Sequence, residues 1–307
     1  MQLFLNDDQG RFEPRLAESR GAERPVAANR HRAPRLSVVI PAFNEATRLP
    51  PFLNEIRDYF THDFDGDYEV IVVDDGSIDN SRALLHELAE AWPQLLVISH
   101  TQNRGKGCAV RTGVLAAGGD LVLFADADGA TPIAQEARLR AMIEQGAELA
   151  VGSRTTSAAA RTAGRSVTGR VFAWLARRLT GVDVQDPQCG FKMFRRSIGH
   201  VLFELCDESG YLFDLLILGC ARQLGFRIAE TGIEWHEQPG SKVRLVRDSV
   251  RMLHGLWPMR RRIARLAGAQ RQWYEPPLVQ RGSPSISERP VGQIAIVVES
   301  AGPGAGS

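Results

Sequence analysis

The chain has 307 residues, of which 44% are hydrophobic and 24% charged, and its formal net charge is +1. This composition excludes a disordered or collagen-like chain, and the near-zero charge excludes the global field on which a nucleic-acid binder relies, so anion binding must come from local clusters. The four cysteines, Cys108, Cys189, Cys206 and Cys220, form no CxxC pair, and no apolar run is long enough to cross a membrane or resembles a signal-peptide core, which predicts a cytoplasmic protein without disulfides.

Residues 1–34 mix Arg, Glu, Ala and Pro without period and read as a disordered leader. Strand-like and helical segments then alternate. LSVVI (36–40) is followed by helical spacing over 46–60, YEVIVVD (68–74) by 79–91, LLVIS (95–99) by 106–117, and DLVLFAD (120–126) by 133–145. ELAVGSR (148–154) adds a strand, GFKMF (190–194) another, and helices over 197–207 and 211–225 lead to a strand within 226–235. The strands are short and nearly all apolar, as strands covered on both faces are. Alternation of this kind implies βαβ units, hence an α/β fold with a mainly parallel sheet, here one domain over 35–240. A basic segment (241–271) and a Pro-, Ser- and Gly-rich tail (272–307) follow; QIAIVV (293–298) in the tail is an edge-strand candidate.

Parallel topology brings the carboxyl ends of the strands to one edge, where ligands bind. After the successive strands come PAFNEA with Asn44 and Glu45, DDGSID with Asp74, Asp75 and Asp79, TQNRGKG with Arg104 and Lys106, ADADG with Asp126 and Asp128, and SR with Arg154. Two carboxylates one residue apart raise each other's proton affinity unless a cation sits beside them. Asp126 and Asp128 therefore suit Mg²⁺ or Mn²⁺, completed by phosphate oxygens of a ligand. Gly105 and Gly107 open a helix, where exposed N–H groups favour phosphate, with Lys106 and Arg111 adding positive charge. Asp74 and Asp75 are carboxylate acceptors for a base N–H or for sugar hydroxyls. Glu45 is a candidate for ribose, for the base, or for a helix cap; Asn44 shapes the turn, and Ser77 and Asp79 read as helix-capping groups. Together these residues describe a nucleoside-diphosphate pocket.

The stretches LSVVIPAFNEATRLP, VIVVDDGSIDNS, NRGKGCAVRTG, LVLFADADGATP, VGSR and QDPQCGFKMFRR, in this order over 36–196, resemble family 2 glycosyltransferases of the GT-A fold, in particular the dolichyl-phosphate and polyprenyl-phosphate β-glucosyltransferase group. The resemblance implies a metal-dependent, inverting transfer of glucose from UDP-glucose to a polyprenyl monophosphate. It implies that Pro41, Ala42, Glu45 and Asp74 or Asp75 surround the uridine, that Lys106 lies near the nucleotide, and that Asp126 reaches the ribose or the ion. Asp128 would ligate the ion, and Arg154, helped by Arg161 or Arg165, would meet the acceptor phosphate. The loop ADADGAT lacks the glutamine that the mannosyl relatives carry there, which favours UDP-glucose as donor. The group also resembles FDxE at a later helix head; here LFDLLIL keeps Asp214 and has Leu216 at the glutamate position.

A carboxylate base is not required if the acceptor is a phosphate monoester, whose second pKa of about 6 leaves it anionic at neutral pH. Cations that align and screen it suffice, and GSRTTSAAARTAGRSVTGR (152–170) carries Arg154, Arg161, Arg165 and Arg170 without an acidic residue. Asp186 and Gln188 are candidates for glucose hydroxyls or for holding Lys192 and Arg154. Lys192 is either an edge cation or a phosphate ligand. Cys189 reads as a packing group, and His236 as a polar strand end or a site residue. Residues 242–266 hold eight Lys or Arg against one Asp, with apolar positions at helical spacing. That pattern suits an interfacial helix on an anionic membrane surface, where each basic side chain contributes about 1 kcal/mol.

Overall fold

The computed structural model describes residues 34–64, 66–154, 177–178, 181–238 and 259–266. The predicted leader and tail, the arginines of 155–176 and most of the basic segment 241–271 lie outside the described residues.

The chain order is β1 (Leu36–Ala42), α1 (Leu49–Asp63), β2 (Tyr68–Asp74), α2 (Ser81–Ala91), β3 (Leu95–Ser99), α3 (Lys106–Ala116), β4 (Leu121–Ala125), a 3₁₀ turn (Ile133–Gln135), α4 (Glu136–Glu144), β5 (Leu149–Ser153), β6 (Phe191–Arg195), α5 (Arg196–Glu204), α6 (Phe213–Gln223) and β7 (Ile228–Gly232). The strands expected within 35–240 are all present, and the edge-strand candidate 293–298 lies outside the described residues. Helix α1 starts three residues later than the spacing suggested, because Pro50 and Pro51 lack the N–H groups a helix begun at Ala46 would need; in the first turn that lack has no consequence. The predicted helix over 133–145 divides into the 3₁₀ turn and α4.

The seven strands form one sheet in the order β3-β2-β1-β4-β6-β5-β7. Pairings among β1, β2, β3 and β4, and between β5 and β7, are parallel; β6 runs antiparallel to both of its neighbours. One reversed strand matters for the site. It brings the residues just before β6, Asp186–Gly190, to the same edge as the carboxyl ends of the other six.

Alternate side chains divide the core in two. Val39, Ile71, Val73, Val122 and Phe124 face α3, α5 and α6 on one side. Val38, Ile40, Val70, Val72 and Leu123 face α1 and α4 on the other. The helical residues 259–266 belong to the first layer: Met259 and Ile263 are buried against α6, where a side chain at Gly219 would overlap Ile263.

Candidate active site

The ends of β1, β2 and β3 are tied together by backbone bonds, Asp75 N to Ala42 O and His100 N to Asp74 O, each 2.8 Å. Asn44 takes a left-handed conformation (φ 55°), and its Oδ1 accepts from Ile78 N at 2.9 Å while its own N–H donates to Ser77 Oγ. Asn44 thus shapes the turn, as expected. Asp79 accepts from Ser81 N at 3.0 Å and Ala46 N at 3.3 Å, a structural role. Glu45 has a backbone N–H on Ser81 Oγ (2.8 Å) and a carboxylate on Arg48 (2.6 Å).

Asp74 and Asp75, paired in the sequence, do different work. Asp74 is fully buried and accepts from Ser77 N (3.0 Å) and Arg82 Nε (2.7 Å). Asp75 accepts from the backbone N–H groups of Arg104 (2.9 Å) and Gly105 (2.8 Å) and lies 2.7 Å from Nδ1 of buried His100. A carboxylate only accepts, so Nδ1 carries the proton, and Nε2 faces Thr112 Oγ1 at 3.1 Å.

These bonds correct the reading of Gly105 and Gly107 as a phosphate cradle. The N–H of Gly105 is held by Asp75, and that of Gly107 by the carbonyl of Ser209 at 2.8 Å. The glycines serve packing instead. A side chain on Gly105 (φ 97°) would overlap the Ser209 carbonyl, and one on Gly107 the Glu208 carbonyl. Arg111 likewise leaves the phosphate end and donates to the Phe203 carbonyl at 2.9 Å. Lys106 remains, with Nζ 2.7 Å from Asp126 Oδ1. Burial alone would lower the pKa of Lys106, but Asp126 and Asp214 more than reverse this.

Beside that ion pair a cavity of about 240 Å³ opens, lined by Asp126, Asp128, Arg154, Gly190, Trp235 and Glu237 among others. It is smaller than the ~300–1,000 Å³ of pockets that enclose a drug-sized ligand, so it suits a sugar or phosphate group rather than a whole nucleotide sugar. Asp128 Oδ1 accepts from Ala130 N at 3.1 Å around Gly129 (φ 65°). Its carboxyl is raised above its ordinary value, by burial first and by the charge of Asp126 second. At Gly190, opposite, any side chain would overlap the Asp126 carboxylate; only glycine lets β6 start this close.

Arg154 forms a fork on Asp186, Nε to Oδ2 at 2.7 Å and Nη2 to Oδ1 at 2.9 Å. Burial opposes the charge on Arg154, but Asp186 outweighs it and secures the proton. Asp186 is set in turn by Glu230 of β7, which accepts the N–H groups of Gln185 and Asp186. Of its two expected partners, Asp186 therefore holds Arg154 and not Lys192. Gln188 lies beside the Tyr211 carbonyl at 3.5 Å.

Lys192 is neither an edge cation nor a phosphate ligand. Strand β6 is internal, and Lys192 Nζ is wholly buried, donating to Asp214 Oδ1 at 2.6 Å and to the Cys189 carbonyl. Asp214 is thus engaged behind the site. The Cys189 thiol is pushed up to about 12 by burial, as suits a packing group, and all four cysteines are free. The backbone N–H of His236 donates to the Ala130 carbonyl at 2.8 Å, so its segment closes the cavity wall.

Of the expected site residues, Asp126, Asp128 and Arg154 line the cavity, Lys106 and Asp186 stand behind them, and Pro41, Ala42, Glu45, Asp74 and Asp75 occupy the neighbouring ends of β1 and β2. Arg161 and Arg165 lie outside the described residues. Trp235, Glu237 and Gln238 on the wall, and His100 behind Asp75, escaped the sequence reading. The only signal for the wall was its place just after the last strand.

Among the described residues no group of three or more His, Cys, Asp and Glu could enclose an ion. The all-oxygen pair Asp126 and Asp128 nevertheless fits Mg²⁺ or Mn²⁺, which keep most of their coordination for water and ligand phosphates.

A sheet with this order, a carboxylate pair after β4 and a reversed β6 define a nucleotide-sugar transferase fold. Sequence comparison agrees: the profile of glycosyl transferase family 2 matches residues 37–203, and the chain belongs to that family. It is 36% identical over 225 residues to a dolichyl-phosphate beta-glucosyltransferase of Mus musculus, covering 68% of this chain and 69% of that one. The dolichyl-phosphate beta-glucosyltransferase of Saccharomyces cerevisiae is 32% identical over 242 residues, 72% of each chain. Among solved structures, glucosyl-3-phosphoglycerate synthase from Mycobacterium tuberculosis, in complex with Mn²⁺ and UDP-glucose, superposes with a TM-score of 0.54 at 22% identity, covering 74% of this chain and 79% of that one. That likeness concerns the fold. No helix among the described residues is long and apolar enough to cross a membrane.

Proposed function

We propose that the protein is an inverting glucosyltransferase that moves glucose from UDP-glucose to a phosphate-bearing acceptor, with Mg²⁺ or Mn²⁺ bound at Asp128 and Asp126. The supporting observation is the cavity in which that carboxylate pair faces the Arg154–Asp186 fork. Bound there, the ion would neutralise the donor diphosphate and ease departure of UDP. Uridine lies along the ends of β1 and β2, near Pro41, Ala42, Glu45 and Asp75, with Lys106 toward the diphosphate. Arg154, its plane fixed by Asp186, orients the acceptor phosphate, with Arg161 or Arg165 as helpers. An acceptor oxygen attacks the anomeric carbon as its bond to UDP breaks. Asp214, committed to Lys192, is not the base, and an acceptor phosphate oxygen needs none. Gln188 stands at the sugar end.

Two acceptors would present a phosphate to Arg154; a lipid monophosphate attacks through an oxygen that is already anionic, whereas a soluble acceptor attacking through a hydroxyl must also pass its proton to a base or to solvent. A polyprenyl monophosphate is supported by the 32–36% identity to dolichyl-phosphate beta-glucosyltransferases, and it would place the protein peripherally on the cytoplasmic membrane face, with exposed Arg260, Arg261 and Arg265 toward anionic lipid. A soluble phosphorylated acceptor is favoured by a fold neighbour crystallised with phosphoglyceric acid, and by Arg262, which points to Asp207 and Glu208 instead of outward. The test is one radiolabel assay. UDP-glucose, GDP-mannose and UDP-GlcNAc are each offered with short-chain polyprenyl phosphate or with phosphoglycerate, with and without divalent metal. Glucose entering the organic phase supports the lipid acceptor, and glucose in a water-soluble phosphorylated product supports the other. Transfer of mannose alone, or transfer unaffected by chelator, overturns the reading.

A further inference from the structure

The loop between α5 and α6, Asp207–Tyr211, has polar partners on both sides. On one side it meets the C-terminal helical residues: Arg262 donates from Nε to Asp207 Oδ1 and from Nη1 to Glu208 Oε2, each at 2.8 Å. Glu208 Oε1 also accepts from Gly210 N at 2.9 Å, so the same carboxylate sets the loop's own curvature. On the other side the loop meets the first turn of α3. The Ser209 carbonyl accepts the N–H of Gly107, and both Gly105 and Gly107 lack side chains where the loop's carbonyls press in. Lys106, between those glycines, is the residue whose ammonium reaches Asp126.

Residues 259–266 themselves cannot shift lightly. Met259 and Ile263 are buried in the core layer shared with α6, and Gly219 is the point of closest approach. Arg262 therefore projects from a packed base onto the two carboxylates of this loop. A guanidinium fork on two carboxylates fixes direction as well as distance, which a lysine would do less well.

We infer that Arg262 is a positioning residue for the donor end of the site: through Asp207–Tyr211 it sets the first turn of α3 and so the placement of the Lys106 ammonium against Asp126. The inference rests on the reading of Lys106 as a nucleotide-binding residue. It also assigns part of the basic C-terminal segment to the inside of the molecule, where the sequence pattern suggested a membrane face.

The test is a double-mutant cycle read by calorimetry of UDP binding with Mn²⁺, using the full chain below its unfolding temperature. Arg262→Gln should weaken UDP between about three- and tenfold, in the lower half of the coupling seen within one network. In a Lys106→Met background the same change should have almost no further effect. Glu208→Gln should act like Arg262→Gln, Arg262→Lys should restore part of the loss, and Ala264→Gln, exposed on the same helical segment, should change nothing. A fall in Tm with an unchanged Kd would mean a merely structural contact and overturn the inference, as would losses from Lys106→Met and Arg262→Gln that simply multiply. No UDP binding by the unaltered chain would overturn the reading of the site itself, and this inference with it.

Discussion

Lys192→Met isolates the most consequential buried charge. The ammonium is wholly buried between the Asp214 carboxylate, 2.6 Å away, and the Cys189 carbonyl. Methionine has nearly the same length and no charge, so the variant leaves Asp214 buried with only the more distant Lys106 to offset it. Breaking a buried pair from one side costs about 3–5 kcal/mol. At roughly 2–4 °C per kcal/mol for a domain of this size, the midpoint should fall by about 6–20 °C. Burial already raises the Asp214 carboxyl above its ordinary 3.8 against the pull of Lys192 and then Lys106. The native state therefore holds that proton more readily than the unfolded chain, and this group's contribution weakens as pH rises from 3.8 toward the folded value. Removing Lys192 moves the folded value higher still. The deficit of the variant should thus be greatest at neutral pH and shrink on acidification as Asp214 takes up a proton. Urea unfolding followed by far-UV dichroism, at several pH values, measures both effects. Lys192→Met/Asp214→Leu should recover most of the loss, because the orphaned charge is gone. A single variant within about 1 kcal/mol of the parent, or a double variant no better than the single, would refute the reasoning.

Gly190→Ala should displace the Asp126 carboxylate its methyl overlaps, cutting kcat/KM for glucose transfer by about 10²-fold while the protein stays folded by dichroism. Asp128→Asn should abolish metal-stimulated turnover, and isothermal titration should show the loss of Mn²⁺-dependent UDP-glucose binding. Trp235→Ala, removing a cavity wall whose indole lies 5.7 Å from the Arg154 guanidinium, should weaken UDP-glucose about tenfold while UDP alone binds as before. Thiol titration at pH 8 should label at most half-buried Cys108 within minutes and all four cysteines after denaturation, since burial pushes Cys189, Cys206 and Cys220 up to about 12; two fast thiols in the native protein would contradict that packing.

Much of the fold was legible locally. Runs such as VIVVD and LVLFA are apolar on both faces, and that alone announces covered strands joined by helices. Because parallel strands end on one edge, the acidic tips after β2 and β4 could be assigned to a common site before any contact was known. Asp79 was legible because the N–H it accepts, that of Ser81, lies two residues on. Asn44 was legible by residue type, since asparagine tolerates the left-handed turn, although its partners Ser77 and Ile78 are 33 and 34 positions away.

What the tertiary structure decided is who meets whom across tens of residues. Local pattern could not say that β6 is internal and reversed, which buries Lys192 on Asp214 and sets Gly190 against Asp126. Nor could it say that Ser209, about a hundred positions from Gly107, would take the N–H that seemed reserved for phosphate. An exposed N–H or a lone lysine looks the same in sequence whether its partner is a ligand or the protein. Strand order, register and the approach of distant loops make that choice, and they arise only once the whole sheet has been assembled.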